Sequence, residues 1–469
     1  MKQHNVLMIM SDQHRADCVG YVNKYPVKTP NLDKLATEGL WFSNAFTTIP
    51  TCCPARQSML TGKTAENIGG LWNYDITLPI TSLPPENDTW TKELKSAGFS
   101  LGYIGKWHVN PYHNPLEYGF DYYYGIEDYE KYFKSITLNK SYVGGWQGEE
   151  DIVSLDNSRT HIFAQKTIEL IKEFNSSRKP WHIRLDFPEP HLPCRPAEPF
   201  YSMYSPKDIP KWHNFEDNYK NKPYIQKKQL KNWGVSNYTW KDWAPIVKNY
   251  YGSISQCDDA IGKVLDAVEE LGIIENTIII YTSDHGDMGG AHRMVDKHYV
   301  MYDDVIQVPL IVRMPKKKNM SNRCDYFIPH TIDLPPTIME ALKLPLPDYF
   351  QGRSFLSILN NKPIKEFREN VVASYNGAQF GLFCQRMIRT KNWKYIWNLT
   401  DIDELYFLEK DPSELENLTD EKEYQEIQAK LKHDLYQYLI HHKDDILKQS
   451  WLTHQLIEQD ISPNILPTV

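Results

Sequence analysis

Two short apolar runs, each halting at a pair of polar residues, restrict the fold of this chain most tightly. Val6-Leu7-Met8-Ile9-Met10 stops at Ser11-Asp12-Gln13-His14, and Thr277-Ile278-Ile279-Ile280-Tyr281-Thr282 stops at Ser283-Asp284-His285-Gly286. Unbroken apolar runs of this length suit strands buried on both faces, as in a parallel sheet covered by helices. Polar residues just past the carboxyl ends of such strands occupy the usual ligand position of an open α/β sheet. Asp12 offers an anionic oxygen and Gln13 a neutral one, both suited to a divalent cation, and Asp284-His285 repeats the arrangement. An aspartate there also serves as a helix cap, so neither pair decides the matter alone.

Two further runs follow the same plan. Phe99 to Ile104 leads into Gly105-Lys106-Trp107-His108, and Trp181 to Phe187 into Pro188-Glu189-Pro190-His191-Leu192-Pro193. From an extended segment, Lys106 and His108 would project to one side, where a lysine and a histidine can contact an oxyanion and move a proton. Prolines on both sides of His191 predict an extended, non-helical loop carrying a possible proton donor. Between the Val6 run and the Phe99 run lies Pro50-Thr51-Cys52-Cys53-Pro54-Ala55-Arg56-Gln57-Ser58-Met59-Leu60-Thr61-Gly62. Pro54 suits a first helical position and Gly62 a left-handed close. Cys52 would then face the positive end of a helix with the Arg56 guanidinium nearby, an environment favouring an anionic or oxygen-rich group.

Helical spacing is expected from Thr29 to Ala36, Thr160 to Phe174, Trp243 to Leu271 and Glu423 to His441, with a short strand over Leu40 to Phe46. Gly119-Phe120-Asp121 and the tyrosines after it read as a rim or packing loop, and residues 196–243 as a long irregular excursion. Residues 1–365 are expected to form a large catalytic unit, and 366–469 a smaller α+β unit with a small antiparallel sheet and a helix. The 469 residues are 24% charged and 41% apolar, ordinary for a globular chain and unlike a disordered or fibrous one. A formal net charge of −8 argues against a general nucleic-acid binder, though a local cationic pocket can still take an anion. No stretch is apolar and long enough to span a membrane. Seven scattered cysteines give neither a disulfide framework nor zinc-type spacing. The first residues lack the features of a secretory signal, so the expectation is a cytoplasmic protein, or a periplasmic or secreted one whose signal was trimmed.

Cys52-x-Pro54-x-Arg56 followed by Leu60-Thr61-Gly62 resembles the signature of the type I sulfatases of the alkaline phosphatase superfamily. Ala55 and Lys63 stand where serine and arginine are commoner. Gly105-Lys106-Trp107-His108, Pro190-His191-Leu192-Pro193, Ser283-Asp284-His285-Gly286 and Glu416-Asn417-Leu418 resemble family segments in the family's order. Lys297 before Tyr302-Asp303 resembles its Lys-x-x-x-Tyr-Glu element with one residue more.

The resemblance implies an alkaline-phosphatase-like α/β fold, with a mostly parallel central sheet between helices and a smaller C-terminal α+β domain. It implies a sulfatase whose Cys52 is converted to formylglycine by a maturation enzyme. One divalent metal, Ca2+ first with Mg2+ or Mn2+ as alternatives, would be held by Asp12, Gln13, residue 52, Asp284 and His285. A hydroxyl of the hydrated aldehyde would attack sulfur. Arg56 and Lys106 would stabilise it, His191 or Lys297 would protonate the departing alcohol, and His108 would deprotonate the second hydroxyl. Lys106, His191 and Lys297 would contact the sulfate; His292 is either a further contact or a structural residue. The substrate is expected to be a small sulfated sugar, such as a glycosaminoglycan-derived mono- or disaccharide, with Trp72, Tyr74, Trp107 and Trp146 as candidate stacking surfaces. Two alternatives stand: a phosphonate monoester or phosphodiester hydrolase of the same superfamily, and a catalytically silent binding protein of this fold.

Overall fold

The computed structural model describes residues 3–74, 82–137, 140–315, 322–362, 364, 367–379 and 381–457. Eight strands form the central sheet: β1 (Asn5–Asp12), β2 (Leu40–Phe42), β3 (Ser100–Gly105), β4 (Tyr122–Gly125), β5 (Trp181–Pro190), β6 (Thr277–Ser283), β7 (Leu310–Arg313) and β8 (Arg323–Cys324). Their spatial order is β4-β3-β5-β1-β6-β7-β2-β8. The first five in that order run parallel; β7 lies antiparallel to β6 and β2, and β8 is parallel to β2.

The alternation along β1 explains why its run is apolar throughout. Val6, Met8 and Met10 point to one face and pack with Met59, Leu60, Trp90 and Leu94. Leu7 and Ile9 point to the other, against Leu32, Phe163, Ile171, Ile261 and Val264. The helices supplying these contacts are α1 (Pro30–Glu38), α2 (Cys52–Thr61), α3 (Trp90–Ser96), α4 (Arg159–Ser176) and, after α5 (Tyr224–Asn232), the 31-residue α6 (Trp240–Glu270). Both faces are therefore dry, and a polar residue inside these strands has to bring its own partner.

The C-terminal strands β9 (Asn370–Ala378), β10 (Gly381–Thr390), β11 (Trp393–Asn398) and β12 (Glu404–Phe407) form a sequential antiparallel sheet. Leu431, Leu435 and Leu439 of the helix Gln425–His441 cover one face through Val372, Ile388, Tyr395 and Trp397. Ala373, Tyr375, Met387, Ile396 and Tyr406 on the other face share a core with Tyr299, Met301 and Tyr302.

Several expectations are revised. The strand expected over Leu40 to Phe46 is two, Leu40–Phe42 and Ala45–Phe46. The tyrosines read as a loop form the edge strand β4. The excursion over 196–243 carries α5, and a further helix, Ser450–Leu456, follows the one expected over Glu423 to His441. The boundary expected between residues 365 and 366 lies outside the described residues. Among the described residues, no helix is long and apolar enough to cross a membrane.

Candidate active site

Strand register brings the two polar pairs together. Ser11 sits opposite Ser283 on neighbouring parallel strands, so Asp12 and Asp284, one residue on, emerge side by side. The main-chain N–H of Gln13 donates to Asp284 Oδ1 (3.1 Å). Helix α2 delivers residue 52 to the same place: it begins at Cys52 itself, two residues before the expected start, and ends at Gly62 with φ +70°. Cys52 Sγ lies 3.1 Å from His285 Nε2 and 3.6 Å from Asp12 Oδ1. Ligand atoms of Asp12, Cys52, Asp284 and His285, all buried, lie within 4.8 Å of one another. His285 donates Nδ1–H to the Gly286 carbonyl (2.8 Å), which leaves Nε2 facing this cluster.

Arg56 locks the arrangement from below. Its guanidinium is buried and pairs with Asp12 (2.9 Å), Asp284 (3.0 Å) and Asp186 (3.1 Å), and donates to the Lys106 carbonyl (2.8 Å). Arg56 is thus turned to the carboxylates that surround residue 52 and fixes them. Asp186, which sequence reasoning passed over, also accepts from Arg184 (2.7 Å) and the Tyr103 hydroxyl (2.7 Å). The signal was present, since Arg184 and Asp186 are two charges inside a strand that must be dry.

Lys106, His108, His191 and Lys297 converge from three further segments. Gly105 has φ +109°, and a Cβ there would meet the Asp186 carbonyl at 1.9 Å, so only glycine lets β3 close on β5 and turn Lys106 inward. Lys106 Nζ pairs with Asp12 Oδ2 at 2.6 Å. His108 reaches Cys52, but through a left-handed turn (φ +47°) rather than the extended segment expected. His191 sits in a bend between two cis peptides, Glu189-Pro190 and Leu192-Pro193, instead of the extended loop expected. Its Nδ1–H donates to the Leu192 carbonyl (2.6 Å), and its Nε2 accepts from Lys297 Nζ (2.9 Å). Lys297 also donates to Gln13 Oε1 (3.1 Å).

The electrostatics follow from these contacts. Burial alone would raise the Cys52 thiol, but Lys106, Lys297, His285 and the hydrogen bond with His108 hold it well below its usual range. Burial and Asp12 push Asp284 up. Asp12 is held down, against burial and Cys52, by Lys106, His191 and Arg56. Against its burial, Asp284 and Cys52 draw His285 up to about 9. A histidine so displaced marks excess negative charge around Nε2, and two carboxylates beside an imidazole form a donor set that fits a hard divalent cation.

The cluster lies at the base of a cleft of about 650 Å3, lined by Cys52, Lys106, His108 and His191 within and by Tyr74, Tyr112, Tyr123 and Glu127 further out. The family description Sulfatase matches residues 4–344. The chain belongs to the sulfatase family. It is accordingly a sulfuric ester hydrolase, and a second description, N-sulphoglucosamine sulphohydrolase, C-terminal, matches residues 290–441. It is similar to the uncharacterized sulfatase YidJ of Escherichia coli (strain K12), 30% identical over 96% of this chain and 90% of that protein. Its fold is similar to that of a protein solved with its substrate D-glucosamine-2-N,6-O-disulfate (TM-score 0.78, 22% identity, 94% and 99% coverage). The phosphonate monoester hydrolase of Agrobacterium radiobacter is similar in fold as well (TM-score 0.80, 24% identity, 94% and 96% coverage).

In this sulfatase the remaining expected residues are distributed unevenly. His292 is buried, pairs with Asp217 (2.5 Å) and stacks on Tyr302 at 4.0 Å, so it takes the structural alternative rather than the substrate contact. Tyr74 and Trp107 line the cleft, whereas Trp146 packs against Trp233 and Trp243. Tyr112, 85% exposed on the cleft wall, was missed; nothing in Pro111-Tyr112-His113 distinguishes it from an ordinary loop tyrosine.

Proposed function

We propose that this sulfatase hydrolyses a sulfate ester of a small carbohydrate, with Cys52 matured to formylglycine and one divalent cation beside it. The carrying observation is that Asp12, Asp284 and His285 gather around Cys52, which lines one cleft with Lys106, His108 and His191. Asp12, Gln13, Asp284 and His285 would hold the cation, Ca2+ first among candidates given the oxygen-rich set, with Mg2+ or Mn2+ as alternatives. Formylglycine would supply, as its hydrate, the hydroxyl that attacks sulfur, and the cation would lower that hydroxyl's pKa and draw charge from the sulfuryl oxygens.

The chain's own residues do the rest. Lys106 and Lys297 bring preplaced positive charge to the sulfuryl oxygens, where negative charge grows during cleavage. Lys297 donates to His191 Nε2, so a proton from this pair reaches the departing alcohol oxygen. His108, at residue 52 from the other side, takes the proton whose loss restores the aldehyde and frees sulfate. The cleft volume suits a mono- or disaccharide, and the aromatic walls at Tyr74 and Tyr112 offer stacking faces. The substrate of the structurally similar glucosamine disulfate-binding protein supports a sugar as the alcohol.

The test is a panel of sulfated mono- and disaccharides assayed for released sulfate, alongside intact-mass analysis for conversion of the Cys52 side chain to an aldehyde. The second reading, a phosphonate monoester hydrolase, draws on the Asp-Gln and Asp-His pairs and the similar Agrobacterium fold. Paired aryl sulfate and aryl phosphonate kinetics separate the two, and a much higher efficiency on phosphonate overturns the sulfatase preference. An unmodified thiol after expression with the maturation enzyme would favour a silent binding protein.

A further inference from the structure

Asp296 is a buried carboxylate, 5% exposed, that does not line the catalytic cleft yet pairs with Lys297, whose ammonium donates to His191 on the cleft wall. Its Oδ1 lies 3.0 Å from Lys297 Nζ. Lys297 donates hydrogen bonds to Gln13 Oε1 and His191 Nε2, and the Asp296 carboxylate stands beside it as its ion-pair partner. His191 lines the cleft, Gln13 is buried beside Asp284, and Asp296 is the anchor behind. The second Asp296 oxygen faces His298 Nε2 at 3.3 Å, and His298 Nδ1 meets the Tyr375 hydroxyl at 3.1 Å. Tyr375 lies on β9, so a buried polar chain runs from the C-terminal sheet through His298 and Asp296 to Lys297 and His191.

The backbone around this chain is held in an uncommon form. Asp296 and Tyr299 both have left-handed φ, +65° and +66°, and the Asp296 carbonyl accepts from the Met288 main-chain N–H at 2.8 Å. Non-glycine residues keep such conformations where the surroundings over-determine them, and aspartate tolerates this one better than most. The segment thus spends conformational energy to place one carboxylate behind one lysine.

From this geometry we infer that Asp296 is a positioning residue for sulfate-ester cleavage: it holds the Lys297 ammonium between Gln13 and His191, and the Tyr375-His298 pair holds Asp296. The inference rests on the proposed function of the Cys52 pocket. Without the Asp296 charge, and with residue 52 matured to an uncharged aldehyde, Asp12 remains as an anionic attraction on Lys297 and draws it from His191 toward the acidic cluster. Proton delivery to the leaving oxygen then suffers more than sulfate binding does.

The test is a double-mutant cycle in the full-length mature protein with Asp296→Asn and Lys297→Met. Asparagine keeps the shape and accepts the left-handed backbone, so the change removes charge and little else. Asp296→Asn is expected to lower kcat on phenyl sulfate by about 100-fold, the scale of a misplaced catalytic group, and on 4-nitrophenyl sulfate, which needs less leaving-group protonation, by less. In the Lys297→Met background it is expected to change kcat by less than about twofold, since coupled residues are non-additive. Additive losses, or equal losses on both esters, overturn the proposal and leave Asp296 a purely structural residue. If Asp296→Asn does not fold, Tyr375→Phe, which removes one hydroxyl, should show the same coupling to Lys297→Met at smaller amplitude; its absence overturns the proposal equally. A Lys297→Met enzyme with unchanged kcat would instead refute the reading of the cleft itself, which separates the two failures.

Discussion

Replacing Arg56 with methionine removes a guanidinium that neutralises three buried carboxylates while keeping much of the side-chain volume. The consequences can be worked out oxygen by oxygen. Asp12 keeps Lys106 at 2.6 Å, and Asp186 keeps Arg184 at 2.7 Å. Asp284 keeps main-chain donors from Gln13 and His285 on Oδ1, but Oδ2 loses its Arg56 partner. One carboxylate is therefore stranded and two are weakened, which places the loss at the cost of breaking a single buried pair, about 3–5 kcal/mol, rather than three times that. Urea unfolding followed by tryptophan fluorescence would read the difference. Millimolar Ca2+ should return part of it, because a cation beside Asp284 replaces some of the missing charge. A loss below about 1 kcal/mol would refute the view that Arg56 holds the acidic floor together.

Three other outcomes are expected. Gly105→Ala should destabilise the protein by about 3 kcal/mol and remove most activity, since the added Cβ meets the Asp186 carbonyl at 1.9 Å on a left-handed backbone; near-native unfolding and turnover would contradict this. Asp258, which accepts from the Asn31 and Leu32 main-chain N–H groups, is pushed up to about 7, chiefly by burial. A carboxyl raised in the folded state gives stability that is complete below pH ~4 and lost as pH rises toward 7, at most about 1.4 kcal/mol per pH unit. Asp258→Asn should flatten that slope in unfolding measured from pH 4 to 7, and an unchanged slope refutes the assignment. Chelation of the mature protein should lower its unfolding midpoint, and Ca2+ at 100 times its Kd should restore about 2.7 kcal/mol; indifference to chelator would count against a resident cation.

Much of the fold and part of the site were legible because parallel sheets write themselves plainly. Val6 to Met10 and Thr277 to Thr282 are apolar at every position since both faces are covered, and the polar pairs after them mark the strand ends. Cys52, Lys106, His108 and His191 line one cleft, and Lys297 meets it through His191. What stayed hidden depends on pairing across the chain. Arg56 was near enough in sequence to suggest a partner for Cys52, whereas register had gathered three aspartates around it from neighbouring strands far apart along the chain. His108 arrives by a left-handed turn that no alternation rule describes. The His292 and Asp296 assignments turn on contacts with Asp217, His298 and Tyr375, at separations no local pattern encodes. The edge strand β4 escaped notice because three consecutive tyrosines are neither alternating nor continuously buried.

The most direct measurement is diffraction from crystals of the protein produced with its maturation enzyme and grown with Ca2+. The expected density shows an oxidised residue 52 and a single cation bonded to Asp12, Asp284 and the residue-52 oxygen. An intact thiol with no cation between those two aspartates would contradict the proposed chemistry.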